Sequence, residues 1–367
     1  MLLEAILSLA TLANIDDDVA QDDVTRAIPA YVLDERRLRT SFLDLYGRPP
    51  LADEREVWRG RGLDELLDEA LASPEFFGHW LEEELYYLLL IDNFRPRSER
   101  VLRLPKDLAE ENIGVRDALT MVALSASFDR RNPGPDTFVT VVLEQFLGQN
   151  VQARPKDLEV GKKVYDGIES KFLGKKGRSQ ADVVRIALGD RRALEQLLLR
   201  AHDRFLRTQP EKRALKDWVR TLDRDPYAFA KIVRGWMLSP AYTERLAKKR
   251  SLPNHGFVRA LYVDLTNRQP TEDEVDRIRG AMDGLADAGP LRSVFARLVV
   301  DSGQANVPKK GDIADPTAWV ADLFGRLLGR VATDEELKDF VTAFHDPACR
   351  PETLLLALLT HPDYATW

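Results

Sequence analysis

The chain has 367 residues, with 53 Lys and Arg against 60 Asp and Glu, a formal charge of −7, 44% apolar residues and 31% charged ones. That composition belongs to a chain able to bury a core and not to a disordered one, and its acidic balance argues against broad binding to a nucleic-acid backbone, which needs a basic face. The single cysteine, Cys349, excludes an intrachain disulfide, a four-thiolate metal site and a C-x-x-C-H haem attachment.

The opening stretch MLLEAILSLATLANIDDD has Leu2, Leu3, Ile6, Leu7, Leu9 and Leu12 at helical spacing. It lacks a basic leader region, carries Glu4 and runs into Asp16, so it predicts a short buried helical segment over 1–34 rather than an export signal. No apolar run reaches about 18 residues, so no membrane span is expected. A cytoplasmic location is the expectation, with export left open.

Downstream, one statement recurs. Taking Pro50, Pro210, Pro270 and Ala332 as anchors, the residues eight before are Phe42, His202, Tyr262 and Phe324, and those five before are Leu45, Phe205, Leu265 and Leu327. These offsets describe one buried helix face. Gly47, Gly329 and Asn267 suit the left-handed residue that ends a helix, and proline follows where the helix cannot continue. Thr271-Glu272-Asp273-Glu274 and Thr333-Asp334-Glu335-Glu336 read as capping boxes that open a second helix, with Trp58, Trp218, Ile278 and Phe340 as its apolar plug. A third helix closes at LASPEF, MLSPAY, VDSGQA and LTHPDY, where Ser73 and Ser239 suit the N-cap and Phe76, Tyr242 and Tyr364 plug back into the core. A fainter copy runs from Phe138 through SQADVVRIALGD. The expected modules are 35–93, a weak 133–195, 196–250, 251–307 and 308–367, with 94–132 as a linker or lone closing helix. A period of this size means stacked helical units that share a core.

The run FLDLYGRPP…LLDEALASPEFFGHWLEEELYYLLLIDN resembles the domain of unknown function of large planctomycete cytochrome-associated proteins, over about residues 35–93. Trp80 and Asp92 match that pattern, and Glu83-Glu84 stand where the family has a histidine–tryptophan pair. FVRALYVDLTNRQPTEDEV and WVADLFGRLLGRVATDEEL are similar to a short helical bacterial repeat of unknown function that opens L-Y-x-x-L-L-G-R-x-P. The linker domains of light-harvesting antennae share a similar rhythm. These resemblances imply helical modules suited to scaffolding and bring no catalytic residue.

Several residues are candidates for chemistry. Arg48, Arg268 and Arg330 recur at one position, with Arg207 offset by one, and Asp44 and Asp264 lie one turn earlier in the helix. The structural reading is a salt bridge or a cap on the helix end; the functional one is a row of carboxylate- or phosphate-binding forks. His79 and Glu83 stand one helical turn apart and could hold a metal if another helix supplied ligands, while Glu82, Glu83 and Glu84 read by default as a solvated acidic face. The loop KFLGKKGRSQ offers Lys171, Lys175, Lys176 and Arg178 before a helix capped by Ser179, a candidate anion site that otherwise reads as a flexible insertion. Ser73 and Ser239 lack a nucleophile elbow, and Cys349 with His345 lacks an oriented base and oxyanion site. Trp58 and Trp218 occupy equivalent positions and read as core plugs.

The sequence therefore predicts an all-α protein of tandem small helical modules packed as a compact or curved array. The leading functional expectation is a non-enzymatic scaffold or interaction protein, with other proteins or its own copies as partners. No cofactor, metal or catalytic residue is assigned. The alternative is an enzyme, or enzyme subunit, with an inter-module site near His79 and Glu83. A third reading, nucleic-acid or anion binding through the Lys171–Arg178 loop, is disfavoured by net charge.

Overall fold

The computed structural model describes residues 32–89 and 98–366; the expected N-terminal helix and Trp367 lie outside them. The first anchored segment holds α1 (Glu35–Tyr46), α2 (Ala52–Trp58), α3 (Leu63–Ala70) and α4 (Pro74–Leu89). Four short helices follow, α5 (Glu99–Leu102), α6 (Leu104–Ala109), α7 (Val115–Ala123) and α8 (Ala126–Arg131). Next come α9 (Gly134–Val141), continued by a wider π-type turn to Phe146, then α10 (Pro155–Tyr165) and α11 (Gln180–Leu188). The segment anchored at Pro210 contains α12 (Arg191–Leu206), α13 (Lys212–Arg224), α14 (Phe229–Met237) and α15 (Pro240–Leu246). That anchored at Pro270 contains α16 (Asn254–Thr266), α17 (Glu272–Asp283) and α18 (Gly289–Asp301). The last contains α19 (Pro316–Leu323), continued by a π-type turn to Leu328, then α20 (Asp334–His345), α21 (Pro351–Leu359) and a short 3-10 turn at Pro362–Ala365. No helix among the described residues is long and apolar enough to cross a membrane.

The all-α expectation holds, with one exception. Between α10 and α11 lies a small antiparallel hairpin, β1 (Ser170–Phe172) and β2 (Lys175–Gly177), with Lys171 opposite Lys176. The segment expected to be a flexible insertion is thus an ordered ribbon, pinned by the buried ring of Phe172. Helix α12 also begins at Arg191, ahead of the module boundary expected at 196.

Local sequence sets the helix ends. α1, α12, α16 and the π-type turn after α19 all stop at a residue in the left-handed region: Gly47, Arg207, Asn267 and Gly329. Thr271 and Thr333 form capping boxes with Glu274 and Glu336. Arg48, Arg268 and Arg330 each clamp the glutamate of the following turn with two parallel bonds: Glu54 at 2.6 and 2.8 Å, Glu274 at 2.9 and 2.8 Å, and Glu336 at 2.8 and 2.7 Å. Each guanidinium lies over the ring six residues before it, Phe42, Tyr262 or Phe324. The expected partners one turn earlier, Asp44 and Asp264, are used elsewhere. A carboxylate after the anchor already accepts the N-cap amide, so it can serve the arginine at the same time.

Two apolar cores result. One runs from Leu33 to Leu246; the other gathers Leu252 to Tyr364. Helix α1 serves both, sending Leu38, Phe42 and Leu45 into the first and Leu43 into the second. Every residue from Leu38 to Leu45 is buried, including Arg39 and Asp44. Buried charges must be paired, and these are. Arg245 and Tyr242 of α15 donate to Asp44, at 2.9 Å for Arg245 Nη2 and 2.8 Å for the tyrosine hydroxyl. Arg39 donates two bonds to Asp264 of α16 at 3.0 and 2.9 Å, and the Tyr364 hydroxyl adds a third at 3.0 Å. Asp44 and Asp264 occupy one position relative to their anchors; the same position holds Arg204 and Arg326 in the other two segments. Arg204 donates to the Asp44 carbonyl at 3.3 Å and Arg326 to the Asp264 carbonyl at 2.8 Å. Helices meet in acidic–basic pairs, each closed by a tyrosine.

Replacing Asp264 by Ala strands the Arg39 guanidinium and the Tyr364 hydroxyl in the core, and is expected to cost about 3–5 kcal/mol in urea unfolding. The apolar triple change Asp264→Leu, Arg39→Met and Tyr364→Phe should recover most of that loss. Equal losses in the single and triple variants would show that pairing does not set the cost.

Candidate functional site

Two concave features stand out. The first is a cleft of about 490 Å³ where α1, α4, the end of α12 and the start of α16 meet. His79 lies here, 8% exposed, its ring flat against Gly47. A Cβ added to Gly47 would sit 2.5 Å from His79 Cε1, so glycine at this helix end serves both the left-handed turn and the close approach of the ring. His79 Nδ1 has no hydrogen-bond partner among the described residues and is 3.8 Å from Glu82. Burial, helped by the charge of Arg204, pulls the His79 pKa down to about 4 and keeps the ring neutral near pH 7.

The acidic face of α4 is not the solvated one expected. Glu82 takes two bonds from Arg259 at 2.8 Å each, and Glu84 is buried and takes 2.7 Å from Arg200. Glu83 faces His255 of α16 at 3.5 Å. Glu82 and Glu83 both stay well below the usual carboxylate range: burial opposes ionisation, and His79 with Arg259, or His255 with Arg204, outweighs it. His79 and Glu83 therefore do not form a metal pair, and no group of three or more metal-ligating side chains occurs among the described residues. Arg204, Arg207 and Arg250 also line the cleft. Arg204 Nη1 is buried without a partner among the described residues. Such an unmet buried polar group typically costs about 1–3 kcal/mol.

The second feature is an open groove of about 640 Å³ on the segment anchored at Pro210. It lies where the arginine–glutamate clamp is missing. The clamp positions hold Thr208 in place of arginine, Ala214 in place of glutamate, and Ala241 where Glu75 and Asp363 support the clamps of the first and last segments. His202 takes the aromatic position, and its Nδ1–H donates to the Thr208 carbonyl at 2.8 Å. Burial lowers the His202 pKa. Trp218 and Trp236 close the groove, with ring centres 5.1 Å apart and each within 5.5 Å of His202. Trp236 is 3% exposed and its Nε1–H has no acceptor among the described residues. Trp218 is thus a half-buried groove wall, whereas Trp58 at the equivalent position is buried beneath Arg61. Equivalence in sequence could not show that its neighbours had shrunk.

The remaining candidates disperse. Lys171, Lys175, Lys176 and Arg178 are exposed on the hairpin and its exit, and Lys176 pairs with Glu169 at 3.0 Å. Ser73 caps Phe76 N, but the Ser239 hydroxyl donates instead to the Trp236 carbonyl. His361 accepts from Asp363 N and so acts as the cap in the serine's place. The Cys349 thiol contacts the Arg350 carbonyl, and His345 stacks edge-on with Phe344. No family model, curated protein or solved structure matches this sequence.

The neutral His79 carries a pH signature. Its folded pKa, about 4, lies below the usual 6.5, so the unfolded chain binds the proton more readily. Its contribution is full above about pH 6.5 and falls as pH drops toward 4. Urea midpoints measured between pH 7.5 and 4.5 should decline more steeply for the native chain than for His79→Gln. Parallel slopes would contradict a ring held neutral.

Proposed function

We propose that the chain is a non-catalytic binding scaffold, made of tandem copies of one helical module, and that the groove on the Pro210-anchored copy docks an extended segment of a partner protein. The observation that carries this reading is the selective loss of the clamp. Three copies fill the space after the first helix with arginine and glutamate; the fourth empties it and lines it with two tryptophans and a histidine. Filling the space is worth a charge-assisted, two-bond contact in its sisters, so emptying it gives up stability for access. Trp218, a half-buried wall set edge to face against Trp236, offers an aromatic face that suits proline rings. Extended proline-containing segments dock in aromatic-lined grooves of this kind.

The buried Asp–Arg–Tyr networks support a rigid frame for such a surface. Catalysis at His79 finds less support, because the nearby Glu82 is committed to Arg259.

Restoring the clamp tests the reading. Thr208→Arg with Ala214→Glu should fill the groove, leave the far-UV dichroism unchanged and raise the unfolding midpoint. A decaproline peptide should quench native tryptophan emission saturably and leave the filled variant unaffected. Absence of saturable quenching, or equal quenching in both proteins, would overturn the proposal.

A further inference from the structure

The groove sits on the one basic copy among the four anchored segments. Residues 196–250 carry 14 Lys and Arg against 6 Asp and Glu; the counts are 7 against 14 in 35–93, 6 against 8 in 251–307 and 6 against 10 in 308–367. The reversal is concentrated on α13. Its first turn contains no acid, whereas the matching helices α2, α17 and α20 open with Asp53 and Glu54, with Glu272 to Glu274 and with Asp334 to Glu336. Two and six residues past the anchor α13 has Lys212 and Lys216; the other copies have Ala52 and Glu56, Glu272 and Asp276, and Asp334 and Lys338.

This arrangement works against the helix. Lys212, Lys216, Arg220 and Arg224 recur every four residues, so like charges stand one turn apart along one face. Lys212 and Arg213 also lie at the positive end of the helix dipole, where anions are favoured. All five side chains belong to exposed residues. The acids of the same helix are committed elsewhere: Asp217 pairs with Arg220, and Asp223 with Arg116 and Arg191, both at 2.9 Å. Lys212, Arg213, Lys216 and Arg224 have no carboxylate partner among the described residues.

We infer that this face of α13 docks an acidic, extended segment of a protein partner. The inference rests on the docking reading above for the class of partner, and on its own observations for the surface. By helical spacing the cations lie on a different side of α13 from Ala214, Trp218 and Thr221, which line the groove. The spacing fits an extended chain. Residues four apart on a helix have Cβ atoms about 5–6 Å apart. Alternate residues of an extended segment point the same way and lie about 6.5 Å apart. Four cations thus meet acids at four alternate positions, along a helix about 18 Å long. A nucleic acid fits less well, because its charge continues beyond one helix over a protein whose formal charge is −7. A short acidic segment ends where the cations end.

The test uses the full chain and a fluorescein-labelled decapeptide of alternating Glu and Ser, read by anisotropy. The native protein should bind it saturably, and more weakly as salt rises. The variant with Lys212→Gln, Arg213→Gln, Lys216→Gln and Arg224→Gln should bind it about tenfold more weakly. That variant should keep its far-UV dichroism and melt at a higher temperature, because like-charge repulsion is relieved. Its tryptophans should be quenched by decaproline as in the native chain, which separates failure of this face from failure of the groove. Absence of saturable binding, equal binding in both proteins, or a lower melting temperature in the variant would overturn the inference. So would a thymidine decanucleotide that binds more tightly than the peptide, which assigns the face to nucleic acid. A salt-sensitive doubling of mass in light scattering that the variant lacks would overturn it too, by assigning the face to a second copy.

Discussion

A carboxylate taken out of water has to be met by donors, and two such carboxylates organise this molecule. Asp44 and Asp264 sit at one position in two first helices, and each draws in an arginine and a tyrosine from elsewhere in the chain. Removing a charge's partner inside a core costs far more than a surface pair gains. Each acidic helix is therefore held in one register against its basic neighbour, because only that register brings Arg204 to the Asp44 carbonyl and Arg326 to the Asp264 carbonyl. Helix α1 takes part in both arrangements, accepting through Asp44 and donating through Arg39. It contributes side chains to both apolar cores.

The clamps work at a smaller scale and do a different job. Arg48, Arg268 and Arg330 tie the end of one helix to the start of the next, with an aromatic ring beneath the guanidinium. Each arginine and its glutamate lie six residues apart, so the clamp itself is local. The Pro210-anchored segment lacks such a clamp and still forms its helices α12 to α15. The two candidate sites differ in setting. The groove lies where the clamp is absent, and the cleft lies where the ends of α1 and α12 and the start of α16 face the side of α4.

What the sequence showed and hid follows from the range of each interaction. The helices, their left-handed ends and the capping boxes at Thr271 and Thr333 were legible because they depend on neighbours within a few residues. The recurring arginine was legible as a structural element, yet its glutamate partner was not, because a helical turn looked a nearer choice than the following cap. The Asp44–Arg245 and Arg39–Asp264 bonds span 201 and 225 residues, and no local pattern encodes them. The hairpin escaped notice because its strands are three residues each, too short for alternation to register. Its signal was the pair Leu173–Gly174, both at positive φ as a tight hairpin turn requires. The acidic run of α4 looked solvated because Arg200, Arg259 and His255, which cover it, lie more than a hundred residues downstream. Trp218 looked like a plug because its equivalent in the first segment is one; the shrinkage to Thr208, Ala214 and Ala241 was visible in the letters but meaningless without knowing that those three positions meet.

Native-state hydrogen exchange on α1 tests most directly whether this helix joins the two cores. The amides of Leu38 to Leu45 should be among the slowest in the chain and should exchange in the same opening event as those of Leu261 to Leu265 in α16. Rapid exchange of α1, with α16 still protected, would contradict a frame built on shared buried carboxylates.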